Sequence, residues 1–144
     1  MMIALGCDHG GYLLMLEVKK HLEKKGFEYK DFGCYSEESV DYPEYAKKVA
    51  KAVASGECET GILICGTGIG ISIAANKVKG IRAALCHDCF SAAATREHNN
   101  ANVLAMGARV IGSGLALKIV DTFLDTPFSN EERHIRRISM LDEE

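Results

Sequence analysis

The chain has 144 residues, 47% of them hydrophobic, which is enough for one domain with a sizeable core. Its 17 basic and 20 acidic side chains give a net charge of -3 and form no basic block or aromatic-interleaved stripe, which argues against a nucleic-acid partner but not against a small anionic ligand. The first apolar run, residues 1–6, is too short for a signal peptide and no stretch reaches membrane-spanning length, so a cytoplasmic protein with no membrane partner is expected.

Taken in order, residues 2–6 predict a first strand, followed by the turn Cys7-Asp8-His9-Gly10-Gly11. A helix is expected over 12–25, with Leu14, Val18 and Leu22 as its apolar stripe, Leu13 and Leu16 alongside, and Gly26 as its stop. A second strand covers 29–32, and 34–43 reads as a polar loop. Pro43 then opens a helix with Asp41 as its cap, and Tyr45, Val49, Ala52 and Val53 supply the buried face.

The central stretch, TGILICGTGIGISIAANK over 60–77, predicts a buried strand, a glycine-rich bend and a helix whose inner face carries Ile71, Ile73, Ala74 and Ala75. Glycine at 66, 68 and 70 lets the backbone approach a ligand, and the free N–H groups at the helix start form an anion cradle in front of Cys65. This spacing is neither G-x-G-x-x-G nor G-x-x-x-x-G-K-[ST], which weakens a nucleotide reading. A fourth strand is expected over 81–85, a helix opened by Asp88 and reaching His98, a fifth strand over 103–106, a helix over 115–124 and a helical tail from 131 onward.

This alternation predicts a single α/β domain over 1–144: a three-layer, doubly wound, Rossmann-like sheet of five parallel strands in the order 2-1-3-4-5, with a C-terminal helix. Ligands of such sheets bind beyond the carboxyl ends of the strands, here between strands one and three. Two chemically rich bends should therefore converge, one with Asp8 and His9 and the other with Cys65, Thr67 and the glycines.

The residues alone leave several roles open. Cys65, beside a helix N-terminus that favours thiolate, serves as nucleophile, base or packed core residue, with His9 or His98 as a partner for the thiol. Thr67 is a helix cap or a hydroxyl that handles a substrate oxygen. Asp8 and His9 could cap the first helix, and His98 could sit at a helix end for its dipole alone. Arg133 and Arg137, one turn apart, suit a phosphate or a solvated face.

The six cysteines (Cys7, Cys34, Cys58, Cys65, Cys86 and Cys89) read as free thiols, since so apolar a chain needs no disulfide staples. Cys86 and Cys89 form a C-x-x-C around His87 and Asp88, yet no second Cys or His pair stands at zinc-site spacing, so no metal is expected.

The segments GCDHGGY, DYPEYA, ICGTGIGISIAANK, REHNNANVLAMGARV and ERHIRRI, in this order and across essentially the whole chain, resemble ribose-5-phosphate isomerase of the B type. The resemblance extends to its relatives, the galactose-6-phosphate isomerase subunits and allose-6-phosphate isomerases. It implies an aldose–ketose isomerase of the pentose phosphate pathway that works without metal or cofactor, through a cis-enediolate. By that resemblance Cys65 is the base, the amides from Gly66 through Gly68 and Ile69 to Gly70 meet the developing oxyanion, and Thr67 moves the hydroxyl proton. His98 with Asp8 opens the sugar ring, Asn99 holds the enediolate, and His9, Arg109, Arg133 and Arg137 bind the phosphate. It further implies a homodimer, or a tetramer built from it, in which His98 and Asn99 cross to the neighbouring subunit's site. Some members use instead a glutamate a few residues further on. This chain has Ser72, Ala74 and Ala75 there and no acid, which points to the cysteine variant. A rival class, a phosphosugar-binding domain without turnover, would not require Cys65, Thr67, Asp8 and His98 together.

Overall fold

The computed structural model describes residues 1–143. Strands β1 (Met2–Cys7), β2 (Glu28–Asp31), β3 (Thr60–Cys65), β4 (Ala83–Leu85) and β5 (Val103–Gly107) form one all-parallel sheet. Helices α1 (Tyr12–Lys24), α2 (Tyr42–Ala54), α3 (Ile69–Asn76), α4 (Cys89–Asn99) and α5 (Ser113–Asp125) follow the strands in turn, and α6 (Glu132–Leu141) ends the chain.

Alternation along the strands builds two cores, one on each face of the sheet. Ile3 and Leu5, Ile62 and Ile64, and Leu104 and Met106 point to the side covered by α1, α4 and α5. Ala4, Leu63, Cys65, Val103 and Ala105 point to the side of α2 and α3. Cys65 thus belongs by register to the α2–α3 face, at the last position of its strand.

The expected fold class holds, but the sheet order is β2-β1-β3-β5-β4, with the last two positions exchanged relative to 2-1-3-4-5. Burial explains the exchange. All five residues of β5 are buried, so it needs neighbours on both sides, whereas β4 is a three-residue strand with only intermediate and exposed positions, suited to an edge. The exchange sets the loop after β5 beside the bend after β3.

Local corrections follow the same logic. Strand four begins at Ala83 rather than Ile81, and the fifth helix begins at Ser113 rather than Leu115. On α3, Ile73 points to solvent and Ser72 is buried in its place; on α1, Met15 is buried and Leu13 exposed. Asp88 caps α4 by accepting the Ser91 N–H at 2.6 Å, while Asp41 stands at the α2 N-cap without a side-chain bond. Among the described residues, no helix is long and apolar enough to cross a membrane.

One backbone approach ties β1 to β3 at the carboxyl edge. A Cβ built on Gly11 would lie 2.3 Å from the carbonyl oxygen of Ile64, so only glycine fits. Gly61 is tight as well, but its Cβ would meet a Val49 methyl at 2.7 Å, which can move. Gly11→Ala should therefore destabilise the chain by roughly 1–3 kcal/mol, and by more than Gly61→Ala, in urea unfolding. Equal midpoints for the two variants would contradict this account.

Candidate active site

The bend after β3 wraps its own sulfur. Cys65 is 5% exposed, and its Sγ accepts the Gly68 N–H at 3.0 Å. Gly68 can close so tight a turn because it adopts φ 78°, the left-handed region open to glycine, and serves as N-cap of α3. Thr67 is exposed; its Oγ1 accepts the Ile69 N–H at 3.2 Å, which leaves its own O–H free to donate outward. The amides of Gly66, Thr67 and Gly70 donate to no other group among the described residues. These donors sit at the start of a helix, where anions are favoured.

Two other bends close around this one. Asp8, 7% exposed, follows β1; its N–H donates to the Ile64 carbonyl at 3.2 Å and its Oδ1 accepts the Gly11 N–H at 3.1 Å. His9 Nδ1 accepts the Val40 N–H at 3.2 Å, so the neutral ring carries its proton on Nε2. From the loop after β5, the Ala108 and Arg109 amides donate to the carbonyls of Cys65 and Gly66 at 2.9 and 3.0 Å. The Arg109 guanidinium lies over Gly66, with Nη1 3.5 Å from the position of a Cβ there. His9, Gly10 and Arg109 share a cavity of about 570 Å³ with Glu37 and Ser113. The Tyr42 ring packs on Gly70, where a Cβ would come within 2.6 Å of it, and so walls the first turn of α3.

The remaining candidates lie elsewhere on the chain. Because α4 runs back against the parallel strands, His98 and Asn99 at its end reach the amino edge of the sheet, opposite Cys65. Arg82 donates to the carbonyls of Asn99 and Asn100 at 3.1 and 3.2 Å, and Arg96 to Asn100 Oδ1 at 3.1 Å, which fixes this turn. Helix α6 lies alongside and carries Arg133 and Arg137, both exposed. Within one chain the candidates therefore form two groups: Asp8, His9, Cys65, Thr67, the bend amides and Arg109 at one edge, and His98, Asn99, Arg133 and Arg137 at the other.

Two further histidines, His134 and His87, gain their surroundings only from the fold. His134 is 6% exposed, accepts or donates at 2.9 Å with Ser129 Oγ through Nδ1, and packs against His98 with ring centroids 4.6 Å apart and the ring planes inclined by 40°. Its burial shows only once α6 folds onto α4, which no local pattern signals. In the C-x-x-C segment, burial and then the Asp88 charge push the Cys86 thiol up to about 11, so it stays protonated near neutrality. No group of three or more His, Cys, Asp or Glu side chains among the described residues is placed to hold a metal ion.

Burial, followed by the charges of Arg133 and His98, holds the His134 ring below the usual histidine range. The unfolded chain then binds this proton more readily than the folded one. The neutral ring's contribution to stability is complete above about pH 6.5 and is lost as pH falls from there to the lower native midpoint. An NMR titration should place the His134 midpoint below that of histidine in the unfolded chain; an equal or higher midpoint would overturn the sign.

Comparison with known proteins matches this geometry to a family. The pattern that describes the Ribose/Galactose Isomerase family matches residues 3–141. The chain is 52% identical over 139 residues to ribose-5-phosphate isomerase B of Escherichia coli, covering 96% of this chain and 93% of that one. The solved ribose-5-phosphate isomerase B of Clostridium thermocellum superposes with a TM-score of 0.97 at 56% identity, over 99% of this chain and 95% of that one. The ribose 5-phosphate isomerase of Thermotoga maritima gives the same TM-score, 0.97, at 55% identity, over 99% and 98% of the two chains. With its bends, sheet and nearly full length in common with these enzymes, the chain belongs to the ribose/galactose isomerase family.

Proposed function

We propose that this protein interconverts D-ribose 5-phosphate and D-ribulose 5-phosphate through a cis-enediolate, with Cys65 as the base. The observation that carries the reading is the Cys65 sulfur held at 3.0 Å by the Gly68 amide, inside a bend whose other amides are free to meet an oxyanion. Cys65 takes the proton from the carbon next to the carbonyl and returns it to the neighbouring carbon. The charge that develops on oxygen is met by the amides of Gly66, Thr67 and Gly70, in a bend extended by Ile69. Preorganised donors of this kind are worth about a hundred- to a thousandfold in rate each. Thr67, whose hydroxyl is free to donate, moves the proton between the two oxygens. The chemistry needs no metal and no cofactor.

Asp8, buried beside the bend, stands near the ring oxygen, and His98 opens the ring while Asn99 holds the enediolate. His9 presents Nε2–H to the phosphate, together with Arg109, Arg133 and Arg137. Since His98 and Asn99 lie at the edge opposite Cys65, we propose a homodimer in which each site joins the carboxyl edge of one chain to the amino edge of the other. Exposed apolar side chains on α3 and α4, Ile69, Ile73 and the 84% exposed Phe90, support an interface on that side. Two such dimers could pair further into a tetramer. The same reading places the protein in the cytoplasm and in the pentose phosphate pathway.

The test is turnover of ribose 5-phosphate without added metal, beside allose 6-phosphate. Pentose turnover by the wild type that falls about a hundred- to ten-thousandfold in Cys65→Ala, with sugar-phosphate affinity little changed, supports the assignment. Turnover of the hexose alone would move the substrate, with the pocket wall at Tyr42 as the place to look. Retained activity in the variant would require another base.

Sharing of the site has its own test. Cys65→Ala and His98→Ala chains, each inactive alone, should regain about a quarter of wild-type sites on random mixing, because each mixed two-fold dimer carries one intact site. No recovery in mixed dimers that demonstrably form would place both residues in one chain's site.

A further inference from the structure

We infer that His87 is a positioning residue for the Cys65 bend, acting through the amide of Gly107. This rests on the reading of Cys65 as the base and extends it to the C-x-x-C segment, to which the proposed mechanism gives no role.

His87 follows β4 and precedes the Asp88 cap of α4. Its Nε2 accepts the Gly107 N–H at 2.9 Å. Gly107 ends β5 and is in register with Cys65 on β3. It also presses directly on the bend: a Cβ built there would lie 2.5 Å from the carbonyl carbon and oxygen of Thr67. Likewise, a Cβ on Gly68 would stand 3.0 Å from the Gly107 nitrogen and 2.5 Å from Leu85 Cδ1, on the strand that leads to His87. The line of contact therefore runs from the His87 ring to the Gly107 amide, from Gly107 to the Thr67–Gly68 backbone, and from the Gly68 N–H to the Cys65 sulfur. Without an acceptor at His87 the Gly107 N–H is left unpaired at a strand end that is otherwise buried, and the backbone beneath the bend is free to shift.

Only a ring with Nε2 unprotonated can do this. Protonation turns Nε2 into a donor facing another donor, and the bond is lost. The titratable and charged groups on the segments that meet here are Asp88, Cys86 and Cys89 beside the histidine, Cys65 on the β3 bend, and Arg109 two residues beyond Gly107. Asp88 is held ionised by the Ser91 amide and hydroxyl, so a carboxylate stands next to the ring.

The experiment compares His87→Leu, His87→Gln and His87→Asn. Glutamine places an amide oxygen at about the reach of Nε2 and does not titrate; asparagine is one carbon too short. The expected result is a kcat lowered roughly tenfold in the leucine and asparagine variants with KM within about twofold of wild type, and restored in the glutamine variant. A second readout needs no turnover: the NMR amide resonances of Gly107 and Gly68 should both move in the asparagine variant and return in the glutamine variant. Should the leucine variant fail to fold, the glutamine and asparagine pair decides alone. Unchanged kcat and amide positions in His87→Asn, or no recovery in His87→Gln, would overturn the inference. If the wild type does not turn over ribose 5-phosphate, the substrate reading fails, and the amide resonances still decide the role of His87.

Discussion

The contact on which the site depends is the backbone approach of Gly11 to the carbonyl of Ile64, too close for any Cβ. It brings the bend after β1 against the bend after β3, so that Asp8 donates its amide to the same carbonyl and Gly10 lies beside Gly66. Hydrogen bonds alone would not enforce this geometry, because a single net bond contributes only about 1 kcal/mol. Steric exclusion of every side chain but hydrogen does, and it holds two chemically unlike loops in one place.

The sheet order then decides what else reaches that place. With β5 in the interior and β4 at the edge, the loop after β5 lies against the bend, donating to the carbonyls of Cys65 and Gly66 and laying Arg109 over it. Had β4 stood beside β3, Arg109 would be one strand further away. The position of β5 follows from burial of all five of its residues, a requirement of packing that also shapes the electrostatics of the site.

At the opposite edge, Arg82 and Arg96 spend their donors on the carbonyls and side chain of the turn after His98, while Arg133 and Arg137 remain exposed on α6. Two arginines are thus held by that turn, whereas Arg137 stands in solvent and Arg133 pairs at 2.7 Å with the exposed Glu131 just before its own helix. A net charge of -3 hides this local concentration of positive charge.

Much of the protein was legible in the sequence. The strand and helix alternation, the capping Asp88 and the glycine-rich turn that folds around Cys65 are properties of short segments, where periodicity, glycine spacing and helix-end rules act locally. The motifs around Asp8, Cys65 and His98 also carried the family. Other features depend on which surfaces meet. The exchange of β4 and β5, the outward turn of Ile73, the burial of His134 under α6 and the bond from His87 to Gly107 join residues up to tens of positions apart. A sequence lists which groups are present and what each segment prefers. Only the packed sheet, which must bury β5 on both faces and leave β4 at its edge, decided which of those groups became neighbours.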